Sequence, residues 1–252
     1  IEAAAPGATV TLAPLDLASL ASVREFASGV TSEHGRLDLL INNAGVMAAP
    51  RRLTEDGFES QFGTNHLGHF ALTGLLLPCM TAEGARVVTV SSGAHRMGRI
   101  RFDDLHGKQK YGRWSAYGQS KLANLLFAFE LDRRLRAGGS TVTSVAVHPG
   151  YAATNLQSAA VPAHERFFMS ITNAIFAQRA EKGALPTLYA ATAPDVEGGA
   201  YFGPDGLFEQ RGFPTRVDST PASKDKEAAR RLWETSEELT GVRFALAPAS
   251  AV

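Results

Sequence analysis

Tyr117 and Lys121 stand four residues apart in the stretch Tyr117-Gly118-Gln119-Ser120-Lys121. On a helix that spacing puts both side chains on one face, on successive turns. A phenol titrates near about 10 in water, too high for acid–base work at neutral pH, and an adjacent ammonium stabilises the phenolate and lowers that value. Such a pair could move a proton to or from a carbonyl or alcohol oxygen. The same pair also arises on ordinary amphipathic helices, so its surroundings must decide. Three short apolar runs end in residues suited to ligand contact: "RLDLLINNAG" in Asn42-Asn43-Ala44-Gly45, "ARVVTVSSG" in Ser91-Ser92, and "TVTSVAVHPG" in His148-Pro149-Gly150, with Thr154 four residues further on. Proteins with α/β sheets bind ligands at the carboxyl ends of their strands. A serine there can hydrogen-bond a substrate oxygen, and small residues let a ligand approach the backbone. Each ending by itself reads equally well as a turn or cap. Their joint occurrence around the Tyr/Lys helix is hard to assign to chance.

The elements that would position these residues alternate along the chain, which predicts a parallel sheet with helices on its faces. Residues 8–16 are β-rich and end at Asp16. Ser19 is the predicted N-cap of a helix reaching Gly35, with Leu20, Val23, Phe26, Ala27 and Val30 at helical spacing. Residues 36–45 form the next strand. Thr54 is expected to cap a helix running to about Thr81, with Glu55 and Asp56 in its first turn, where the helix dipole favours acids. Strands over 85–93 and 141–150 bracket a polar loop, 94–113, and a helix, 115–137. Residues 161–180 read as a helical cap, whose stretch His164 to Gln178 suits a lid over an apolar substrate. A helix over 181–191 containing Pro186, a strand and turn over 198–206, and a terminal helix over 224–239 complete the pattern. No segment rich in Pro, Gly or Ser divides the chain, so residues 1–252 are expected to form one domain.

Composition narrows the function. The 252 residues carry 25 Lys+Arg against 25 Asp+Glu, so no global field favours nucleic acid. Cys79 is the single cysteine, which rules out an internal disulfide, suits a reducing compartment and reads as a small core residue. The apolar run Phe70 to Met80 is too short to span a bilayer, and the first ten residues lack the features of a signal peptide. A cytoplasmic location is the expectation. His66 and His69 could share a metal on one helix, but no third ligand stands at a suitable spacing, so no metal is expected. His34, His95, His106 and His164 read as surface or loop residues and His148 as packing. Arg133, Arg134 and Arg136 read as a solvated face at a helix C-terminus, where cations are favoured.

Taken together, "YGQSKLAN", the upstream serine pair, "NNAG", "HPG" with Thr154, and Asn65 in "NHLGHF" resemble the short-chain dehydrogenase/reductase family over nearly the whole chain, 8–244. The long loop before Tyr117 and "SEELTG" at 236–241 resemble its retinol-dehydrogenase-like and WW-domain-oxidoreductase-like branch. The resemblance implies a Rossmann-like doubly wound parallel sheet and an NAD(P)-dependent oxidoreductase acting on a small, apolar alcohol or carbonyl. Tyr117 would be general acid or base. Lys121 would lower its pKa and bind the nicotinamide ribose. Ser92 would position the substrate oxygen, with Ser91 structural, and Asn65 would hold a water linking Lys121 to solvent. Asp16 and Leu17 would meet the adenine, Asn43, Ala44 and Gly45 would pass beside the adenosine ribose, and Pro149, Gly150 and Thr154 would line the nicotinamide amide. NADP is favoured over NAD by the branch alone. Relatives often pair through their two long central helices, so a homo-oligomer is allowed.

One part of the family pattern is missing. The sequence contains no T-G-x-x-x-G-x-G turn, the element that presents a helix N-terminus to the pyrophosphate. The first strand-helix-strand unit, roughly 30 or more residues by the size of such units, is expected to be absent. The strand near Val10 would then lose its neighbours and the strand near Leu40 would show a bare edge. Two functions follow: a hydride-transferring oxidoreductase of which this is an N-terminally truncated form, or a non-catalytic scaffold or binding module. The chain alone is expected to bind dinucleotide weakly.

Overall fold

A computed structural model of the chain describes residue 5, residues 7–150 and residues 180–246. Thr154 and almost all of the expected cap lie outside the described residues. Five strands form one sheet in sequence order: β1 Leu39–Asn42, β2 Arg86–Val90, β3 Thr143–Val147, β4 Tyr201–Pro204 and β5 Pro214–Arg216. The first four are parallel, and β5, which the sequence did not announce, runs antiparallel to β4. The described α-helices are α1 Leu20–His34, α2 Ser60–Phe62, α3 Gly68–Leu76, α4 Arg113–Ala137, α5 Ala180–Thr192 and α6 Lys226–Thr240.

Strand alternation places the helices on both faces. Val87 and Ala146 join clusters with Phe127, Leu131, Leu125 and Ala128 of α4. Val88, Val90, Val145 and Val147 pack with Ala190 and Ala191 of α5. Strands buried on both faces read as continuous Val-rich runs for this reason. The doubly wound parallel α/β class is therefore observed, and α1 opens and closes where the sequence indicated, with Ser19 as N-cap and Gly35 in the left-handed region at φ 63°.

Two expectations change. Residues 8–16 form no strand, and Leu12 is 92% exposed. A parallel strand needs a hydrogen-bonding neighbour, and none among the described residues pairs with this segment. β1 pairs only with β2 among the described residues, so it presents the bare edge anticipated above, with Leu39 and Ile41 exposed. Thr54 caps no helix. Its N–H donates to the Phe58 carbonyl and its Oγ1 accepts from the Phe58 N–H at 3.1 Å, closing a tight loop through Gly57 at φ 82°. The helix begins instead at Ser60, where the buried Glu59 carboxylate accepts from Gln61 N and Phe62 N at 2.9 and 2.8 Å. It is also not uniform: a π-helical turn, Gly63–Leu67, separates α2 from α3, and a 3₁₀ turn, Leu77–Cys79, ends it at Pro78.

α6 closes the open side of α3 and α4. Trp233 stacks on Phe127 (5.9 Å between ring centroids) and meets Phe70 edge-on at 5.2 Å, and Phe244 packs on both Trp233 and Phe70. Buried aromatics of this size contribute on the order of 2–3 kcal/mol each. The terminal helix thus packs against both central helices. The Arg run is not simply solvated. Arg133 and Arg134 both reach Glu130 at 2.7 Å, Arg134 lies over the Trp233 ring at 4.4 Å, and Arg136 pairs with Asp132. These contacts use the planar guanidinium for stacking and forked pairing. No helix among the described residues is long and apolar enough to cross a membrane.

His66 and His69 serve the core. His66 Nε2 lies 2.9 Å from Ser236 Oγ, and His69 Nδ1 lies 3.0 Å from the Asn65 carbonyl. No group of three metal-binding side chains occurs among the described residues. Burial pushes His66 down to about 3 and His69 to about 4, so both stay neutral in the folded chain. In the unfolded chain they titrate near about 6.5. A histidine whose folded value is depressed contributes its full stability above the unfolded value and loses it as pH falls. Between pH 6.5 and 4.5 the two together should remove on the order of 4 kcal/mol. Urea titrations across that range should show the loss, and His66→Leu should remove about half the slope. An unchanged slope in that variant would take His66 out of the account.

Candidate active site

α4 enters the site one turn after Gly112 and carries Tyr117 and Lys121 on the face turned to the carboxyl end of β2. Both are buried, at 8% and 5% exposure, so their chemistry is governed by neighbours rather than bulk water. Lys121 Nζ lies 5.8 Å from the centre of the Tyr117 ring and donates to the Val90 carbonyl at 3.1 Å. The same carbonyl accepts from Asn124 Nδ2 at 3.0 Å. Ser91 Oγ donates to the Lys121 carbonyl at 2.7 Å and ties the end of β2 to α4, the structural role expected of it. The Ser92 hydroxyl lies near the Tyr117 side chain and accepts from Ala94 N at 3.2 Å, opening the 3₁₀ turn Gly93–Met97.

Asn65 joins the end of β1 to α4. Its Oδ1 accepts from Val46 N at 2.7 Å, and its Nδ2 donates to the Val46 carbonyl and to Ser120 Oγ, both at 2.9 Å. Asn65 lies in the π-helical turn, a distortion frequent at functional sites because it re-aims side chains. Gly45 completes this corner: a Cβ there would stand 2.8 Å from Asn65 Oδ1 and 3.7 Å from Lys121 Nζ. Only glycine lets the backbone after β1 pass this closely by the Asn65 amide.

The electrostatics differ from the sequence-based expectation in one respect. Burial raises the Tyr117 pKa, and the opposing pull comes from the nearby Ser92 hydroxyl rather than from Lys121. Lys121 is itself brought down to about 8 by burial. Tyr117 therefore holds its proton at neutral pH, as a general acid must, while the Lys121 ammonium sits close to its own titration.

The structure brings Asn65, Ser92, Tyr117, Lys121 and Gly45 into one corner. Asn43 and Ala44 lie exposed at the end of β1, and Pro149 and Gly150 follow β3. Asp16 and Leu17 are not joined to this corner by any described contact. Asp16 folds back on its own turn, accepting from Ala18 N at 2.8 Å, and Leu17 packs in the core against Gly68. Sequence reasoning missed Ser120 and Asn124, although both follow Tyr117 at helical spacing in "YGQSKLAN". His95, read as a surface or loop residue, lies in the predicted loop but is buried, with Nδ1 2.7 Å from the Ser92 carbonyl and its ring edge-on to Tyr201, behind the serine it supports. The residues present fit the ribose and nicotinamide half of a dinucleotide: a glycine-lined strand end beside a buried ammonium, with a protonated phenol adjoining. They supply no Gly-rich turn for its pyrophosphate.

A buried phenol, a half-buried serine and a buried ammonium meet at the carboxyl edge of a doubly wound sheet in an α/β protein. The family model described as short chain dehydrogenase matches residues 1–165, and the chain belongs to that family. It is 44% identical over 232 residues to retinol dehydrogenase 14 of Mus musculus, covering 90% of this chain and 66% of the relative. It is 45% identical over 238 residues to polyprenol dehydrogenase of Mus musculus, covering 90% and 67%. The chain thus spans just under two thirds of the length of the first of these. Among solved structures, an uncharacterized protein from Mycobacterium Paratuberculosis matches with a TM-score of 0.78 and 48% identity, over 97% of this chain and 81% of that one.

Proposed function

We propose that this chain carries the catalytic part of an NAD(P)-dependent oxidoreductase that interconverts an alcohol and a carbonyl, with residues 1–252 acting as one domain. The observation that carries the reading is Tyr117: a buried phenol that holds its proton, near the Ser92 hydroxyl and one helical turn from a buried ammonium. The cofactor, NADP in preference to NAD, would supply the hydride when bound. Ser92 would hold the substrate oxygen against the phenol, and Tyr117 would donate its proton to that oxygen in reduction or accept it in oxidation. The Lys121 ammonium would stabilise the resulting phenolate and hold the ribose hydroxyls. Asn65 would fix the Val46 backbone and Ser120 through its amide and hold the water that links Lys121 to solvent. Asn43, Ala44, Gly45, Pro149, Gly150 and Thr154 are proposed cofactor contacts. Asp16 and Leu17 remain proposed adenine contacts.

The related retinol and polyprenol dehydrogenases are named for long apolar alcohols, which favours an apolar substrate here. The reading is tested by assaying aldehydes, ketones and alcohols with NADPH and NADH. The chain should be measured both alone and joined to an upstream strand, Gly-rich turn, helix and strand. Turnover in the joined form with weak dinucleotide binding by the chain alone is expected. Micromolar binding by the chain alone would show that the Gly-rich unit matters little, and no turnover in the joined form would favour a scaffold.

A further inference from the structure

The end of β3 is tied to the Ser92 turn through a residue that the reaction does not use. His148, just past β3, is buried, and its Nδ1 accepts from the Gly150 N–H at 3.2 Å. A neutral imidazole that accepts at Nδ1 carries its proton on Nε2. That nitrogen lies 3.1 Å from Glu209 Oε2, so it donates to the carboxylate. The other oxygen, Glu209 Oε1, accepts from Arg96 Nη2 at 3.0 Å. Arg96 belongs to the 3₁₀ turn that Ser92 opens, and it also donates to the Asp218 carbonyl. One carboxylate therefore bridges the two strand ends that flank the proposed substrate oxygen.

The turn between β4 and β5 is built to bring Glu209 there. Asp205 N donates to the Phe213 carbonyl and Gly206 N to the Arg211 carbonyl, both at 2.9 Å, closing the base of the turn. At its tip Phe208 and Glu209 both adopt left-handed backbone, at φ 53° and 57°, although neither is glycine. Consecutive strain of this kind persists only where the surroundings hold it, and it gathers at functional sites. The tip presses on the strand end: a Cβ on Gly150 would collide with the Gln210 carbonyl and come within 2.8 Å of Pro204 Cγ. Leu207, Phe208 and Phe213 on the same turn are exposed.

We propose that Glu209 is a positioning residue: by receiving hydrogen bonds from His148 and Arg96 together, it fixes the Pro149-Gly150 backbone at a set distance from Ser92 and Tyr117. This rests on the function proposed above, for which that distance sets the alignment of the nicotinamide with the substrate oxygen. Misplacement of about 1 Å at such a site costs on the order of 100-fold in rate. The carboxylate's charge matters because it answers the Arg96 guanidinium, and its two oxygens matter because each holds one element.

Glu209→Ala and Glu209→Gln in the form joined to the Gly-rich unit test this, with Arg96→Gln as a third variant should Glu209→Ala fold poorly. Amide hydrogen exchange should rise in Glu209→Ala in both segments, 93–97 and 146–150, and not across β2 or α4. Its kcat should fall about 10–100-fold, with Glu209→Gln intermediate because it keeps an acceptor oxygen. Exchange unchanged in either segment overturns the bridge. A lower melting temperature with kcat and KM unchanged overturns the positioning role and leaves a structural contact. If the unsubstituted protein turns over no carbonyl, the proposed reaction fails, while the exchange comparison still decides whether Glu209 joins the two strand ends.

Discussion

Tyr117→Phe is expected to lower kcat by about 100- to 10,000-fold, the usual range for removing a positioned acid–base group. The change deletes one oxygen and little else. The ring keeps its edge-on contact with Trp114 at 6.2 Å and its buried position on α4. Ser92 still accepts from Ala94 N. The melting temperature and the cofactor affinity should therefore stay close to those of the unsubstituted protein, so the lost rate reports proton transfer rather than unfolding. Steady-state kinetics with an apolar aldehyde and each cofactor would measure it. A variant that keeps more than a tenth of the rate would contradict an acid–base role for the phenol.

Lys121→Met should separate stability from activity, moving them in opposite directions. Lys121 is buried and its pKa is brought from 10.5 down to about 8, about 3 kcal/mol of cost to the charged folded state. A lysine with a depressed folded value imposes this cost below pH 8, and the cost is relieved as pH rises from about 8 to 10.5. Methionine has similar length and no charge. The Val90 carbonyl remains satisfied by Asn124 Nδ2, so no acceptor is left unpaired. After about 1 kcal/mol for the lost hydrogen bond, the variant should be more stable at pH 7 by about 1–2 kcal/mol and should lose the rise in stability between pH 8 and 10. Its kcat/KM should fall at least about 100-fold if the ammonium supports the phenolate and the ribose. Urea unfolding at pH 7 and pH 10 measures the first effect and steady-state kinetics the second. A Lys121→Met protein that is less stable at pH 7 would mean that Lys121 holds the fold.

β2 and β3 were legible in the sequence because they are buried on both faces and read as Val-rich runs ending in turn residues. The Tyr117/Lys121 helix was legible for another reason: its chemistry repeats at helical spacing. Residues 8–16 misled because β propensity belongs to the residues, whereas a strand belongs to a pair, and the described chain offers this segment no partner. Thr54 misled because acids after a threonine signal a helix start equally well when Gly57 turns the chain away first. Within the site, residues that act along one helix were found or could have been, as Ser120 and Asn124 show. Those that act across the fold, such as His95 behind Ser92 and Glu209 beneath β3, carry no local signal. Their partners stand far away in the sequence, and only the closed sheet brings them together. The raised Tyr117 pKa belongs to the same class, since burial of the whole helix outweighs any neighbour that spacing alone could suggest.

The central claim is that hydride delivered at this site is accompanied by a proton from Tyr117. Reduction of an apolar aldehyde with nicotinamide cofactor deuterated at C4, by the chain joined to a Gly-rich unit, tests it directly. Mass spectrometry should show an alcohol bearing one deuterium on the carbinol carbon with the unsubstituted protein and almost none with Tyr117→Phe in the same time. Equal deuterium transfer by both proteins, or no transfer by the unsubstituted one, would contradict the account.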